Sequence, residues 1–165
     1  MRGYWFTMEE KTTIPMLPLF PGETWQPVRE GSPAAKVLHD RHYSKYWYAD
    51  GRRPRKFIGP GAYLALVTAD GKALFIWKKF MDKSGQTGVN CSVFRNESDL
   101  RSSELILEAE KLAWQRWPGE RLYTYVNPRK IRSTNPGCCF KKAGWKVCGL
   151  TKARALIILY KDYCQ

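Results

Sequence analysis

The stretch Asn135-Pro-Gly-Cys-Cys-Phe-Lys-Lys-Ala-Gly-Trp145 decides the fold. It predicts a short helix over 137–143, and its closing Gly-Trp leads directly into two strand-like runs, 146–150 and 155–160. Upstream, the alternating run 89–94 predicts a strand, which passes through a polar turn into a helix that begins at Ser102 or Ser103. We expect a ligand site between these two segments.

The remaining segments predict a sheet with both parallel and antiparallel strands. The runs 63–68 and 73–77 flank Asp70-Gly71, which predicts a β-hairpin because glycine accommodates the positive φ of a tight turn. A further strand is predicted over 122–126, after Pro118-Gly119 ends the preceding helix. Because crossover helices make neighbouring strands parallel, we expect an α/β fold with a mixed, mostly antiparallel central sheet flanked by helices.

The proline pattern divides the chain into an arm and one domain. Five prolines in residues 1–33 block helix interiors and favour extended or turning chain, which predicts an arm packed on the domain. Ser32-Pro33 begins a predicted helix through Leu38 that can extend to Tyr43. The length of the chain fits one domain, which we assign to residues 34–165. Within it, the long loop 44–61 is a candidate functional loop.

Charge is distributed unevenly along the chain. The net charge is +13 and the pI is near 9.7. The segment 41–56 holds six Lys or Arg residues against one acid, Asp50, and the segment 121–154 holds no acid at all. A surface with such a positive potential attracts polyanions, so DNA or RNA is the first partner to consider, and binding should weaken as salt rises.

Composition disfavours several classes of protein. No apolar run approaches the roughly 18 residues that span a bilayer, and the apolar start is too short for a secretory signal. We therefore expect a cytoplasmic protein without membrane contact. Five cysteines form an odd set without paired spacing, which disfavours a disulfide framework and a zinc ribbon. His39 and His42 lack an evident third ligand, so no metal is expected. The oligomeric state stays open between monomer and homodimer.

The segment Phe140-Lys-Lys-Ala-Gly-Trp145 is similar to the Tyr-x-x-x-Gly-Phe signature of the GNAT superfamily of N-acetyltransferases. The resemblance covers residues 34–161 and implies a splayed pair of parallel strands beside the donor site. More narrowly, His42-Tyr43-Ser44 before a basic loop, together with the strand-to-helix turn and Cys139-Phe140, resembles the Mom-type DNA-modification proteins of bacteriophages. That family converts adenine in duplex DNA to its N6-carbamoylmethyl form. The resemblance implies a DNA-modifying transferase of phage or prophage type with an anti-restriction role.

The resemblance also implies an acyl donor, acetyl-CoA or a related compound. In the superfamily, the turn into the long helix binds pyrophosphate through backbone amides, because a helix amino end offers unpaired N–H groups. The corresponding turn here, 95–103, lacks the usual glycines and carries Glu97 and Asp99. The donor-binding candidates are Val93, Phe94, Arg95, Arg101, Ser102, Ser103, Asn127, Asn135 and Phe140.

Transfer to a nucleobase amine requires proton-transfer groups, because that nitrogen is a weak nucleophile. His42 is the candidate base, since imidazole titrates near neutrality, and a capping role at the end of the predicted helix is the alternative. Phe140 stands where the superfamily often has a tyrosine that protonates the leaving group, so any acid must come from another residue or from water. The catalytic candidates are His42, Tyr43, Ser44, Tyr125, Ser133 and Cys139.

Aromatic and basic residues alternate in the loop that follows the first predicted helix. Stacking surfaces mixed with cations suit an extruded base and its flanking phosphates in double-stranded DNA. The nucleic-acid-binding candidates are Lys45, Tyr46, Trp47, Tyr48, Arg52, Arg53, Arg55, Lys56, Arg129, Lys130 and Arg132. Two other functions stay open: an acetyl-CoA-dependent N-acetyltransferase of a protein or small amine, and a non-catalytic nucleic-acid-binding module.

Overall fold

Seven strands form one sheet with helices on both faces. The computed structural model describes residues 24–164. The strands are β1 (Trp25–Val28), β2 (Ala62–Thr68), β3 (Ala73–Lys79), β4 (Val89–Asn96), β5 (Leu122–Val126), β6 (Lys146–Leu150) and β7 (Ile157–Lys161). The helices are α1 (Pro33–Asp40), α2 (Ser102–Arg116) and α3 (Cys138–Lys142). The sheet order is β1-β2-β3-β4-β5-β7-β6, and all pairs except β4 with β5 are antiparallel. The predicted mixed α/β class is confirmed.

One edge of the sheet comes from the segment that was predicted as an arm. Trp25 to Val28 pair with β2 in the register Trp25↔Thr68. The indole Nε1 of Trp25 donates to the carbonyl of Leu105 at 2.9 Å, which ties this edge strand to α2. Residues 1–23 of the predicted arm lie outside the described residues, so the arm remains a prediction there.

Alternating side chains of the central strands supply two cores. On β3, Phe75 and Trp77 pack on the side of α2 and α3, whereas Leu74 and Ile76 pack on the side of α1. The indole of Trp77 donates to the carbonyl of Ala109 at 3.0 Å and so fixes α2 on the sheet. None of the helices between residues 24 and 164 is long and apolar enough to cross a membrane.

The parallel strands β4 and β5 pair over only part of their length. Their register runs from Val89↔Leu122 to Cys91↔Thr124 and ends there, while β5 continues to pair with β7 up to Val126. A bulge in β4 accounts for the divergence, because Cys91 and Val93 face consecutive residues of β3 and Ser92 is extra. The two strands therefore separate beyond Cys91, as expected for a splayed pair.

Helix α1 ends early enough to leave three site residues in irregular chain. The backbone N–H of Arg41 bonds to the carbonyl of Leu38 at 3.2 Å, and that of His42 to the carbonyl of His39 at 3.0 Å. These tight turns close the helix at Asp40 and direct the following segment toward the gap between β4 and β5. The loop 41–56 thus begins at the cavity described next.

Candidate active site and nucleic-acid interface

A cavity of about 650 Å³ lies at the gap between β4 and β5. Its volume falls within the roughly 300–1,000 Å³ typical of small-molecule sites. The segment after α1, both strand ends and the start of α3 line it. The predicted site residues in the lining are His42, Tyr43, Ser44, Lys45, Tyr46, Phe94, Tyr125, Asn127, Lys130, Ser133, Asn135, Cys139 and Phe140. Tertiary structure therefore brings all six catalytic candidates to one cavity.

His42 and Ser44 form a hydrogen-bonded pair at the cavity wall. The Ser44 backbone N–H donates to Nδ1 of His42 at 3.2 Å, so Nδ1 carries the lone pair and the ring proton sits on Nε2. The Ser44 hydroxyl lies 2.7 Å from the same Nδ1 and, in this tautomer, is the donor. The imidazole is therefore positioned to accept a proton from Ser44 and not directly from a ligand at Nδ1.

The environment of His42 keeps its imidazole uncharged. Burial, with the nearby charges of His39 and Arg95, lowers the pKa of His42 from 6.5 to about 4, and the Phe94 backbone acts in the opposite direction. Its ring stacks on Tyr43 with centroids 4.4 Å apart. A neutral imidazole at physiological pH is available as a proton acceptor, although a weaker one than free histidine.

Tyr43 extends from the same segment to the end of β5. Its hydroxyl accepts a hydrogen bond from the backbone N–H of Asn127 at 3.5 Å, and Lys130 Nζ donates to its carbonyl at 3.4 Å. Burial raises the pKa of Tyr43, and the neighbouring Cys91 and Cys139 thiols act in the same direction. The phenol thus stays protonated and offers its O–H as a donor in the gap between the strands.

The other three catalytic candidates are already engaged or poorly ionised. The Tyr125 hydroxyl donates to Asp82 at 2.7 Å, and burial followed by that hydrogen bond raises the pKa of Tyr125 to about 12. Burial raises the pKa of the Cys139 thiol, which disfavours a thiolate nucleophile. The exposed Ser133 accepts the Asn135 backbone N–H at 3.1 Å. His42, Tyr43 and Ser44 are therefore the better placed groups.

The predicted donor-binding residues divide between the cavity and the turn beyond it. Phe94, Asn127, Asn135 and Phe140 line the cavity, whereas Val93 is buried in the core on the α1 side. Arg95, Arg101, Ser102 and Ser103 lie outside the lining, around the turn that leads into α2. The cavity and the amino end of α2 are thus two separate parts of the predicted donor site.

Side-chain hydrogen bonds hold the 95–103 turn, which contains no glycine. Asn96 Nδ2 donates to the Leu100 carbonyl at 2.8 Å and to Ser102 Oγ at 3.0 Å, while its Oδ1 accepts the Ser98 backbone N–H at 2.9 Å. Arg95 and Arg41 pair with Glu97 at 2.5 and 2.8 Å. One of the two acids that would repel a phosphate is therefore paired with two cations.

The basic loop presents aromatic rings to solvent beside the cavity. Tyr46 is 70% exposed and Trp47 is 60% exposed, so both rings are accessible for stacking. The guanidinium of Arg52 lies 4.1 Å from the Tyr48 ring centre, and that of Arg53 lies 5.7 Å from the Trp47 ring centre. Cations and rings thus alternate on one surface, which we call the basic aromatic loop (residues 45–56).

The basic candidates differ in their availability for phosphate. Lys45 is held in an ion pair with Asp40. Partial burial raises the pKa of Asp40, but hydrogen bonds from Lys36 and Lys45 outweigh it and lower that pKa to about 2. Arg55 packs against Gly31, where an added Cβ would lie 3.2 Å from its Nε. The candidates exposed to solvent are Arg52, Arg53, Arg55, Lys56, Arg129, Lys130 and Arg132.

Several residues in or next to the cavity were not predicted from the sequence. Asn90, Thr124 and Arg154 also line the cavity, and Asp82 holds the Tyr125 hydroxyl. Asn90 could have been noticed as a polar residue in the otherwise mainly apolar run 89–94, whereas nothing local in the sequence places Asp82 beside β5. Among residues 24–164, no three His, Cys, Asp or Glu side chains gather as a metal site.

The chain was also compared with known proteins. It matches no protein-family model, and no curated protein matches it significantly. The assignment of function therefore depends on the geometry above and on the residues that resemble known families.

Proposed function

We propose that this protein is a GNAT-like transferase that modifies a nucleobase exocyclic amine in double-stranded DNA, namely adenine N6, with a carbamoylmethyl-type group. One observation carries the proposal: the basic aromatic loop leads directly from His42-Tyr43-Ser44, which line the cavity between β4 and β5. A module that only bound DNA would need the loop but not the cavity. A phage or prophage role in protecting DNA from restriction, in the host cytoplasm, follows from the same proposal.

DNA would approach the loop through its phosphates and present one base to the cavity. Chemistry on a base requires its removal from the stack, because the reacting atom is inaccessible within the duplex. Exposed Tyr46 and Trp47 supply rings that stack on bases, a contact worth about 1–3 kcal/mol per base. Tyr46 also lines the cavity, so it would lie between the DNA-binding part of the basic aromatic loop and the cavity where the reaction takes place.

The donor would enter from the side of α2 and α3. Separation of β4 from β5 leaves backbone groups beyond Cys91 unpaired across the gap, where they are available to an extended acyl carrier. The first turn of α2 offers N–H groups and a positive dipole for a phosphate or another anionic group on the donor. The donated group would then meet the base between Tyr43 and Phe140.

The geometry of His42 and Ser44 supports a proton relay. As the adenine nitrogen forms a bond to the methylene carbon of a donor that carries the carbamoylmethyl group, the bond from that carbon to the leaving group breaks. The leaving group departs with the electron pair, and the nitrogen becomes acidic. The amine proton passes to Ser44 Oγ while the Ser44 proton passes to Nδ1 of His42, 2.7 Å away. A weakly basic imidazole suffices, because the proton leaves only once the nitrogen carries positive charge. The Tyr43 O–H stabilises the developing negative charge on the leaving group.

Mass spectrometry of nucleosides tests the proposal. DNA from cells that express the protein should contain a deoxyadenosine derivative in which a carbamoylmethyl group replaces one N6 hydrogen, and DNA from cells with an empty vector should lack it. Ser44→Ala should remove the derivative, whereas Ser84→Ala, an exposed serine outside the cavity, should not. If DNA is unmodified but purified protein still binds duplex in a salt-sensitive way, a binding module is the better description. If it acetylates amines and ignores DNA, it is an N-acetyltransferase.

A further inference from the structure

Asn90 is a buried polar residue of the cavity that the proposed relay does not use. It lies on β4 between Lys78 of β3 and Tyr123 of β5, at the middle of the three residue pairs that join the parallel strands. It is 4% exposed and lines the cavity. The residue is therefore held by its strand beside the gap.

The amide nitrogen of Asn90 lacks a hydrogen-bond partner within residues 24–164. Buried polar groups in folded proteins are nearly always paired, because leaving one unpaired forfeits its hydration without compensation. Asn90 lines the cavity but its amide nitrogen is itself buried, so a ligand would pair with it once the amide turns about χ2, which is a broad torsion.

The neighbouring polar groups do not compete for that role. Thr124 Oγ1 donates to the Cys91 carbonyl at 2.9 Å, and Ser92 Oγ donates to the Ile76 carbonyl at 3.3 Å. The Tyr125 hydroxyl donates to Asp82. Asn90 Nδ2 therefore stands apart as the unengaged donor on this side of the cavity floor.

The chemistry of the Asn90 amide defines the kind of ligand atom to which it would donate a hydrogen bond. The Asn90 amide is neutral, and strands β4 and β5 supply apolar lining residues such as Phe94 and Val126, whereas the cations of the lining, Lys45, Lys130 and Arg154, come from loops. A neutral donor in an apolar environment suits a neutral acceptor, whereas a carboxylate or phosphate would require a cation to offset its desolvation. A carbonyl oxygen fits this requirement.

We infer that the Asn90 side chain donates a hydrogen bond to the carbonyl oxygen of the group that the protein transfers, and so orients that group at the cavity floor. The inference rests on the proposed function in taking the ligand to be the carbonyl-bearing donor. Asn90 acts by positioning: it selects a carboxamide or acyl carbonyl and does not exchange protons.

A titration followed by NMR tests the binding directly. Acetamide, which has the size of the transferred group, should shift the Asn90 side-chain NH₂ resonances saturably in ¹⁵N-labelled protein. Thioacetamide has the same shape and a weaker acceptor, so it should shift them less. Loss of the signals in Asn90→Leu assigns them. Resonances that acetamide does not move would overturn the inference.

A pair of variants separates positioning from structural support. Asn90→Leu should lower modification by about 10-fold to 100-fold, the effect of one lost hydrogen bond, while DNA affinity stays constant and Tm stays level or rises. Thr68→Val is the control, since Thr68 is equally buried but fully bonded to Asp70 and the Ala73 N–H, away from the cavity. It should lower Tm and leave modification per folded molecule unchanged.

These measurements also separate the two proposals. Full modification by folded Asn90→Leu protein would overturn the role of Asn90 and leave the DNA reaction standing. DNA that stays unmodified by the unaltered protein would overturn the reaction, and the acetamide titration would then decide the role of Asn90 by itself.

Discussion

Two buried polar clusters of this protein differ in how completely their hydrogen bonds are made. The first, which we call the Glu110 cluster, lies on the α2 side of the sheet. Glu110 of α2 accepts hydrogen bonds from Trp145 Nε1 at 2.5 Å and from Lys161 Nζ at 2.6 Å, and Lys161 also donates to the Ala143 carbonyl at 2.8 Å. In the cavity, Asn90 Nδ2 has no partner among the described residues.

The comparison separates groups that stabilise the fold from groups that await a ligand. The Glu110 cluster joins α2, the end of α3 and β7, so its members bind one another and leave nothing for a ligand. Asn90 in the cavity leaves one hydrogen-bond donor unpaired, which lowers the stability of the fold. An unpaired buried donor is expected where a ligand binds. Substitutions in the two clusters should therefore affect different quantities.

The largest expected effect is on the reaction. His42→Ala should lower DNA modification by roughly 10²–10⁴-fold, because the relay from Ser44 loses its acceptor. DNA affinity and Tm should change little, since His42 is not part of the core. Nucleoside mass spectrometry measures the first quantity, and thermal unfolding measures the second. If Tm and activity fell in parallel, His42 would be a structural residue.

A substitution in the Glu110 cluster should lower stability and not the reaction. Lys161→Met removes the partner of a nearly buried carboxylate, and breaking a buried pair in this way costs about 3–5 kcal/mol of the free energy of unfolding. Lys146→Met, an exposed lysine on the neighbouring strand, is the control and should change it little. Urea unfolding at pH 7 compares them. A small effect of Lys161→Met would show that the cluster is not a stabilising one.

The basic aromatic loop should affect DNA affinity alone. Arg52→Glu with Arg53→Glu should abolish most duplex binding, and the unaltered protein should lose about tenfold or more affinity between 50 and 200 mM salt. Lys111→Glu with Arg116→Glu makes the same charge change on α2, outside the predicted surface, and should have a smaller effect. Fluorescence anisotropy measures both. Equal losses for the two pairs would mean that net charge, and not this loop, governs binding.

The smallest effect concerns pH. Because the folded pKa of His42, about 4, lies below the ordinary value of 6.5, the unfolded chain takes up the proton first as the pH falls. The penalty for charging the buried ring is therefore absent above pH 6.5, so folding keeps its full stability there and loses part of it as the pH falls toward 4. The loss amounts to at most about 3 kcal/mol at about 1.4 kcal/mol per pKa unit, less with partial hydration. His42→Gln should flatten the unfolding free energy over this range, whereas an unchanged slope would contradict the low pKa.

Sequence periodicity was sufficient for most elements of the fold. The predicted strands 122–126 and 146–150 coincide with β5 and β6, and the Asp70-Gly71 hairpin is confirmed, because alternation and turn chemistry act within a few residues. Strand β1 was not predicted as a strand, since its pairing partner lies about forty residues away and its proline favours turns.

The sequence also indicated the residue types of the candidate site but not their relations. That His42 precedes a basic aromatic loop is visible in the chain, and so is the Phe140 to Trp145 motif. The tautomer of His42, the engagement of Tyr125 by Asp82 and the internal pairing of Lys45 were not visible, because each depends on groups brought together by folding.

The sequence by itself determined the mixed α/β class, the hairpin, the positively charged surface and the residues able to stack, donate or accept protons, because these follow from local pattern and composition. Tertiary structure alone decided that β4 and β5 separate beyond Cys91, that six catalytic candidates from distant segments share one cavity, and that Asn90 Nδ2 is left unpaired there. The physical reason is that a hydrogen bond, a desolvated charge or an empty space is a property of two or more segments in contact.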